Sequence, residues 1–460
     1  MIVKRFFEPL IAQNSYLIGC TTAGEAIIID ANRDVRQYIE AAQASNLLIT
    51  HVTETHIHAD FLSGSRELAH RTGARLCLSD EGDADWKYQF DHDRKLQHGD
   101  RMTIGNIAID VLHTPGHTPE HLSFLVTDAA VADRPIAAIT GDFVFVGDVG
   151  RPDLLEKAAK IAGTMESGAK TLWRSLQQFQ QYPDWLQIWP GHGAGSSCGK
   201  GISAIPHSTL GYERRFNWAF TAKTEEAFVA NVLSGQPDPP PYFAVMKRIN
   251  KEGPPILPGT GNREPGTASA LANVVSKGDL VIDARPAEEF AKGHVAGTLN
   301  IPLGGSFLTW AGWLIPYDRD FYVVTDRIDE VRRALGLIGL DRIAGVFPPA
   351  AAEGNEQVPQ VSADDLKKRL PSNGLVVVDV RNDSEWDEGH IADAIHIPLG
   401  QLAQRVNEIP ASDNIVVHCQ GGSRSSIAVS LLQKLGRKNV ANLTGGYRRW
   451  LEVQSPKLKV

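Results

Sequence analysis

The sequence predicts an α/β protein: an α/β sandwich at the N-terminal side, followed by two copies of a smaller domain built on a parallel sheet. Three observations carry this. Strand-like apolar runs alternate with amphipathic helical stretches, the pattern of α/β folds. Two proline- and glycine-dense stretches, 235–266 and 347–359, break that rhythm and divide the 460 residues into about 1–255, 262–350 and 355–460. The last two pieces repeat one another: VIDARPAEEFAKGHVAGTLNIPL (281–303) aligns without a gap on VVDVRNDSEWDEGHIADAIHIPL (377–399). Asp283 falls on Asp379, Arg285 on Arg381, Glu289 on Glu385, His294 on His390 and Pro302 on Pro398, always 96 positions apart. That period is too long for a solenoid and means two copies of one small domain.

Composition narrows the function. Hydrophobic residues at 42% and charged residues at 22% suit a soluble globular chain. A net charge of −8 without a basic block excludes nucleic acid as the expected partner. No apolar run approaches the ~18 residues a bilayer demands, so no membrane association is expected. The opening MIVKRFFEPLIAQNSYLIG reads as a first strand rather than a signal peptide. Four scattered cysteines, Cys20, Cys77, Cys198 and Cys419, form no CxxC and fit a reducing cytoplasm. Cys20 and Cys77 read as small buried hydrophobes.

In the first piece, strands are predicted at 25–30, 47–53, 107–114 and 136–142, with a helix at 63–73. Candidate metal ligands cluster where strands give way to loops: THIHAD (55–60), HTPGHTPEH (113–121), TGD (140–142) and PGHG (190–193). One loop histidine is ordinarily a surface residue. Four such segments of histidine and carboxylate suggest a site for iron, zinc or manganese.

These segments, in this order, resemble the metallo-β-lactamase superfamily, and the resemblance covers the whole first piece. It implies an αββα sandwich. Two-metal members carry a histidine after the aspartate of HxHxD; here that position is Phe61. The resemblance therefore implies one metal, as in the persulfide dioxygenase branch. Carried over residue by residue, one Fe(II) per chain would be held by His56, His117 and Asp142, a non-haem iron ligand set. His58, Asp60 and His192 become outer-shell groups, His58 also being a ligand in hydrolase relatives. In TGDFVFVGDVGRPDL (140–154) the GRxD segment resembles the same branch, and Arg151 with Asp153 would shape the substrate entrance or else fix a loop. Cys198 follows His192 by six residues on a glycine-rich loop and would accept sulfur or simply pack. His113 and His121 match no ligand position and read as structural. Arg214 and Arg215 read as a charged helix face rather than a carrier site.

The last piece holds strands at 375–380 and 415–419 and an amphipathic helix at 425–436. Between them, HCQGGSRSS (418–426) opens with Cys419 and closes with Arg424. Gly421 and Gly422 let the backbone curl so that N–H groups, with Ser423 at the helix start and the Arg424 guanidinium, stabilise negative charge on the Cys419 sulfur. Such a sulfur is a nucleophile toward sulfane sulfur. This loop and the segment 379–398 resemble the rhodanese family, which implies a three-layer α/β domain and sulfurtransferase chemistry. Arg424 follows Cys419 by five residues, one fewer than the loops of related phosphatases, which favours sulfur over phosphate. Asp379 and Arg381 read as braces.

In the middle copy, DFYVVTD (320–326) is read as placing Asp326 where Cys419 would be, with three loop residues missing. This rhodanese-like domain is expected to be inactive, either spacing the outer domains or forming the dimer surface of a homo-oligomer. The whole is then expected to be a persulfide dioxygenase fused to an inactive and an active rhodanese domain. Its expected partners are a low-molecular-weight thiol persulfide of glutathione or coenzyme A type, O2, and sulfite or thiosulfate. The alternative is a zinc thioesterase resembling glyoxalase II with the same sulfurtransferase fused to it.

Overall fold

The computed structural model describes residues 1–154, 156, 163–236, 239–257, 266–370, 374–411 and 414–454. Residues 258–265 of the 235–266 stretch, including the expected start of the middle copy at 262, and the end of the last copy at 455–460 lie outside the described residues. The chain divides into two compact units, Met1–Thr260 with Arg333–Gly339, and Gly261–Arg332 with Leu340–Val460.

The first unit is a sandwich of two six-stranded sheets. One sheet runs in chain order: β1 (Ile2–Glu8), β2 (Gln13–Cys20), β3 (Glu25–Ile29), β4 (Leu48–Thr53), β5 (Arg75–Ser79) and β6 (Arg94–Leu96). β1 to β3 are antiparallel; β3 to β6 are parallel. The parallel steps from β3 to β4 and from β4 to β5 cross through the helices Arg36–Ala44 and Ser65–Thr72, as parallel pairing demands. The second sheet holds β7 (Arg101–Ile104), β8 (Ile107–His113), β9 (Leu122–Asp128), β10 (Ala137–Gly141), β11 (Gln187–Pro190) and β12 (Ser208–Thr209), with β10 and β11 parallel.

The layering follows from the two-residue period of strands. In β3, Ile27 and Ile29 face the second sheet and pack with Ile109, Phe124 and Val126, while Ala26 and Ile28 face the helices and pack with Tyr38 and Leu68. On the far side of the second sheet, Leu125, Ala138 and Ile188 pack against Leu172, Leu176 and Phe179 of the helix Thr164–Phe179. Strands covered on both faces need apolar residues at every position, which is why EAIIID is a continuous run.

The second unit contains two parallel sheets. One has the order β14 (Leu299–Asn300), β13 (Leu280–Asp283), β15 (Phe321–Val324), β16 (Ile343–Phe347). The other has the order β17 (Gln360–Val361), β21 (Val440–Leu443), β20 (Ile415–His418), β18 (Val376–Asp379), β19 (Ile395–His396). The duplication extends to individual contacts. Arg285 forks onto Asp283 as Arg381 forks onto Asp379. His294 stacks on Phe290 as His390 stacks on Trp386, each at 3.7 Å between ring centres.

One alignment needs correction. Asp283 pairs with Val324 and Asp379 with His418, so the residue matching Cys419 is Thr325, not Asp326. The strand register fixes this, and Asp326 matches Gln420. The middle copy still lacks the sulfur. Among the described residues no helix is long and apolar enough to cross a membrane.

Candidate functional site

The metal-ligand candidates converge because the C-terminal ends of β8, β10 and β11 lie at one end of the second sheet, where the loop after β4 also arrives. His56 stands three residues beyond β4, His117 in the loop between β8 and β9, Asp142 directly after β10, and His192 two residues after β11. One potential donor atom each from His56, His117 and Asp142 falls within 4.8 Å of the others, and all three residues are buried.

The hydrogen bonds prepare these atoms. Nδ1 of His117 donates to the Arg151 carbonyl at 2.8 Å, leaving Nε2 as a lone pair. The Thr55 hydroxyl donates to Asp30 at 3.0 Å and so accepts from Nδ1 of His56 at 2.9 Å, again freeing Nε2. These two Nε2 atoms lie 3.9 and 3.6 Å from Oδ2 of Asp142, which has no hydrogen-bond partner. A buried carboxylate oxygen facing two imidazole lone pairs is a costly arrangement unless a cation sits among them. The residues therefore fit a metal. Burial holds both imidazoles below the ordinary histidine range, so they are neutral as ligands must be.

Around this trio the other candidates are tied to one another. Oδ1 of Asp142 accepts from Nδ1 of His192 at 2.7 Å, and Nε2 of His192 lies 2.8 Å from Asp60, off the hydrogen-bond axis. Burial opposes charge on His192, but the carboxylates of Asp142 and Asp60 win and raise it well above the ordinary range. Asp142 is held well below the carboxylate range, His192 overriding its burial. Nε2 of His58 faces Asp30 at 3.2 Å; burial would lower this group, but Asp30 raises it to about 8. The ring of Phe61 packs on His58 at 4.3 Å and is fully buried.

Cys198 joins Asp60 and His192 in a second buried cluster. Burial and the carboxylates of Asp60 and Asp142 push its pKa far up, so it stands there as a thiol. Arg151 and Asp153 are wholly buried and form a two-pronged pair at 2.7 Å for each bond. Arg151 also donates to the Ser197 carbonyl at 3.2 Å, fixing the Cys198 loop. Arg214 pairs with Asp184 on the surface.

Several residues support the trio, of which the sequence singled out only His121, as structural. His121 is buried beneath the trio: its Nε2 accepts the Asp142 backbone N–H at 3.1 Å and its ring stacks on His56. Glu120 accepts the Ile57 N–H at 2.7 Å, between the two histidines of HIH. The Asp148 carboxylate gathers the Lys200 and Gly201 N–H groups and the Trp218 indole, closing the loop that carries Cys198. Gly150 is required by close approach: a Cβ there would lie 1.8 Å from the Asp142 carbonyl.

The Cys419 loop follows β20. Its sulfur is buried and accepts from the Gly422 N–H at 3.1 Å and the Ser425 hydroxyl at 3.5 Å. Gly422 has φ +104, the turn that aims its N–H inward before the helix Ser423–Lys434 starts. Gly421 and Ser423 lie exposed on the rim, and Arg424 closes the loop, half in solvent reach, in a pair with Glu385.

Residues 9–192 match the Metallo-beta-lactamase superfamily, and residues 267–335 and 362–453 match the Rhodanese-like domain family. A crystal structure described as a metallo-beta-lactamase from Staphylococcus aureus is 45% identical with a TM-score of 0.71, covering 76% of this chain and 99% of that one. A mitochondrial persulfide dioxygenase of Bos taurus is 25% identical over 231 residues, 49% of this chain and 78% of that protein. A hydroxyacylglutathione hydrolase of Erythrobacter litoralis is 28% identical over 185 residues, 40% of this chain and 64% of the hydrolase.

Proposed function

We propose, for a chain that belongs to the metallo-beta-lactamase superfamily and carries rhodanese-like domains at its C-terminal side, a bifunctional persulfide dioxygenase and sulfurtransferase of sulfide oxidation. In the first unit a thiol persulfide is oxidised: R–S–SH + O2 + H2O → R–SH + SO3²⁻ + 2H⁺. The observation that carries this reading is the state of the second-metal positions. Phe61 offers no ligand atom, His58 is turned to Asp30, and Asp60 and His192 face each other. Of the two buried groups, that of His56, His117 and Asp142 is the one this reading takes as the metal site, since its two histidines and one carboxylate suit Fe(II). Fe(II) held there by His56, His117 and Asp142 supplies the redox chemistry with O2. His192 pins Asp142 through Oδ1 so that Oδ2 is presented, and Arg151 and Thr55 fix the imidazoles. Phe61 and Cys198 are buried beside this group and present an apolar ring and a neutral thiol.

In the last domain Cys419 carries sulfane sulfur. Its sulfur attacks the outer sulfur of thiosulfate, the S–S bond of thiosulfate breaks, and sulfite leaves: Cys–S⁻ + S–SO3²⁻ → Cys–S–S⁻ + SO3²⁻. Run backward, the loaded cysteine and sulfite make thiosulfate. The thiol carrier is of glutathione or coenzyme A type, and the four unpaired cysteines suit a reducing cytoplasm.

The test is O2 consumption by protein loaded anaerobically with one Fe(II) per chain, given glutathione persulfide or coenzyme A persulfide, with sulfite and thiosulfate quantified. O2 uptake with sulfite or thiosulfate supports the reading and ranks the carriers. No uptake, together with glutathione thioester cleavage by the zinc-loaded protein, overturns it in favour of the hydrolase chemistry named for the Erythrobacter litoralis relative.

A further inference from the structure

Arg424 is not a free cation beside Cys419. Its Nη1 donates to Oε2 of Glu385 at 2.5 Å and its Nη2 to Oε1 at 2.7 Å, so both prongs of the guanidinium are engaged. Glu385 is fixed in turn. The Asn382 N–H donates to its Oε2 at 3.1 Å in a reciprocal cap of the helix Asp383–Asp387. The second arginine under the loop, Arg381, forks onto Asp379. His418, just before Cys419, is neutral because burial lowers it to about 4. The donors that reach the sulfur from Gly422 and Ser425 are uncharged, and the Arg424 guanidinium, which also acts on Cys419, is held first by Glu385. Arg448 and Arg449, on the helix that follows β21, line a cleft of about 380 Å³ with Asp364 and Glu452. The two arginines and two carboxylates around Cys419 therefore sum to zero formal charge.

We propose that Glu385 is a specificity-determining residue: by pairing with Arg424 it favours loading of Cys419 from a thiol persulfide over loading from a small dianion such as thiosulfate. This rests on the reading of Cys419 as the sulfur carrier. With R–S–SH, the Cys419 thiolate attacks the terminal sulfur, a new S–S bond forms, the old one breaks, and R–S⁻ leaves and takes up the proton as R–SH. One negative charge is in play throughout. With thiosulfate the same attack expels sulfite, and three negative charges crowd the loop. A neutral Arg424–Glu385 pair does not offset them, whereas a released guanidinium offsets one at a separation of a few ångströms. Because the reverse step crosses the same barrier, the pair also slows discharge onto sulfite.

The full-length protein is tested anaerobically, reading by mass spectrometry the gain of one sulfur atom at Cys419 in single turnovers. Rate constants are taken for thiosulfate and for glutathione persulfide in the wild type and in Glu385→Gln. The expected result is a fall of about tenfold or more in the persulfide-to-thiosulfate rate ratio in Glu385→Gln, equivalent to ~1.4 kcal/mol. Glu385→Asp, too short for both prongs, is the second variant if the amide impairs folding, and shifts the ratio the same way by a smaller factor. Equal loss with both donors, or an unmoved ratio in protein that loads normally, overturns the inference alone. Wild-type protein that takes sulfur from neither donor overturns the carrier reading and the inference with it.

Discussion

Oδ2 of Asp142 is buried and unpartnered, yet two imidazole lone pairs face it. A chain does not assemble such a group without a use for it, since an unpaired buried charge costs several kcal/mol. The residues behind these candidate ligands are expected to set how well a metal binds. Thr55→Val removes the acceptor that orients His56 while keeping its volume. Metal affinity is expected to fall about 10–100-fold, read by competition with a chelator. Glu120 governs a different property. Burial raises its carboxyl to about 7 against the Ile57 N–H that lowers it. A folded-state value above the unfolded one stabilises the protein fully below pH ~4.5 and loses that stability as pH rises through 7. Glu120→Gln keeps the acceptor for Ile57, so its unfolding free energy is expected to fall less between pH 5 and 8, by an amount on the order of 2–3 kcal/mol. Parallel pH profiles in denaturant for the two proteins check this, and identical slopes would refute it.

At the level of elements, periodicity was enough wherever a strand is covered on both faces. The runs expected at 25–30, 47–53 and 107–114 are β3, β4 and β8 to within one residue at each end. The helix expected at 425–436 begins two residues earlier, at Ser423, because Gly422 with its positive φ ends the loop there. The metal-ligand candidates were legible because they stand in short motifs at strand ends. The roles of Asp30 and Glu120 were not, nor was the partner of His121, because their partners are 25, 63 and 21 residues away and only the sandwich brings them together. Asp326 was set against Cys419, one position beyond Thr325, for a related reason: register is set by pairing to β13, which no local pattern reveals. The Cys419 loop also depends on the helix that follows β21. Gly446 has φ +59, and a Cβ there would lie 2.3 Å from the Cys419 carbonyl, which accepts from the Tyr447 N–H at 2.7 Å. Gly446→Ala is expected to push this carbonyl aside, cut sulfur loading at Cys419 at least tenfold and lower stability by about 1–3 kcal/mol. Normal loading in a stably folded variant would show that the loop tolerates the shift.

For the molecule as a whole, the middle copy has kept its framework and lost its sulfur, and its contacts give it a mechanical use. Its Asn300 N–H donates to the Ser430 hydroxyl at 3.1 Å, and its Gly297 carbonyl accepts from Lys434 at 2.8 Å, both on the helix that starts at the Cys419 loop. The two rhodanese-like folds therefore share one helix as a packing element and belong to one compact unit. The function proposed above would link this unit to the first by shared chemistry. On the proposed function, persulfide would be the substrate of one site and the sulfur source of the other, and sulfite the product of one and the acceptor of the other. Linking both on one chain would then raise the local concentration of each intermediate. Cys419→Ser separates the two halves. Iron-loaded variant given persulfide and O2 is expected to make sulfite at close to the wild-type rate and to leave it unconverted, with thiosulfate reduced to the uncatalysed level. Added sulfite should not restore thiosulfate. If sulfite formation stopped as well, persulfide would have to pass through Cys419 before oxidation, and the sites would form an obligatory relay rather than two half-reactions that share their intermediates.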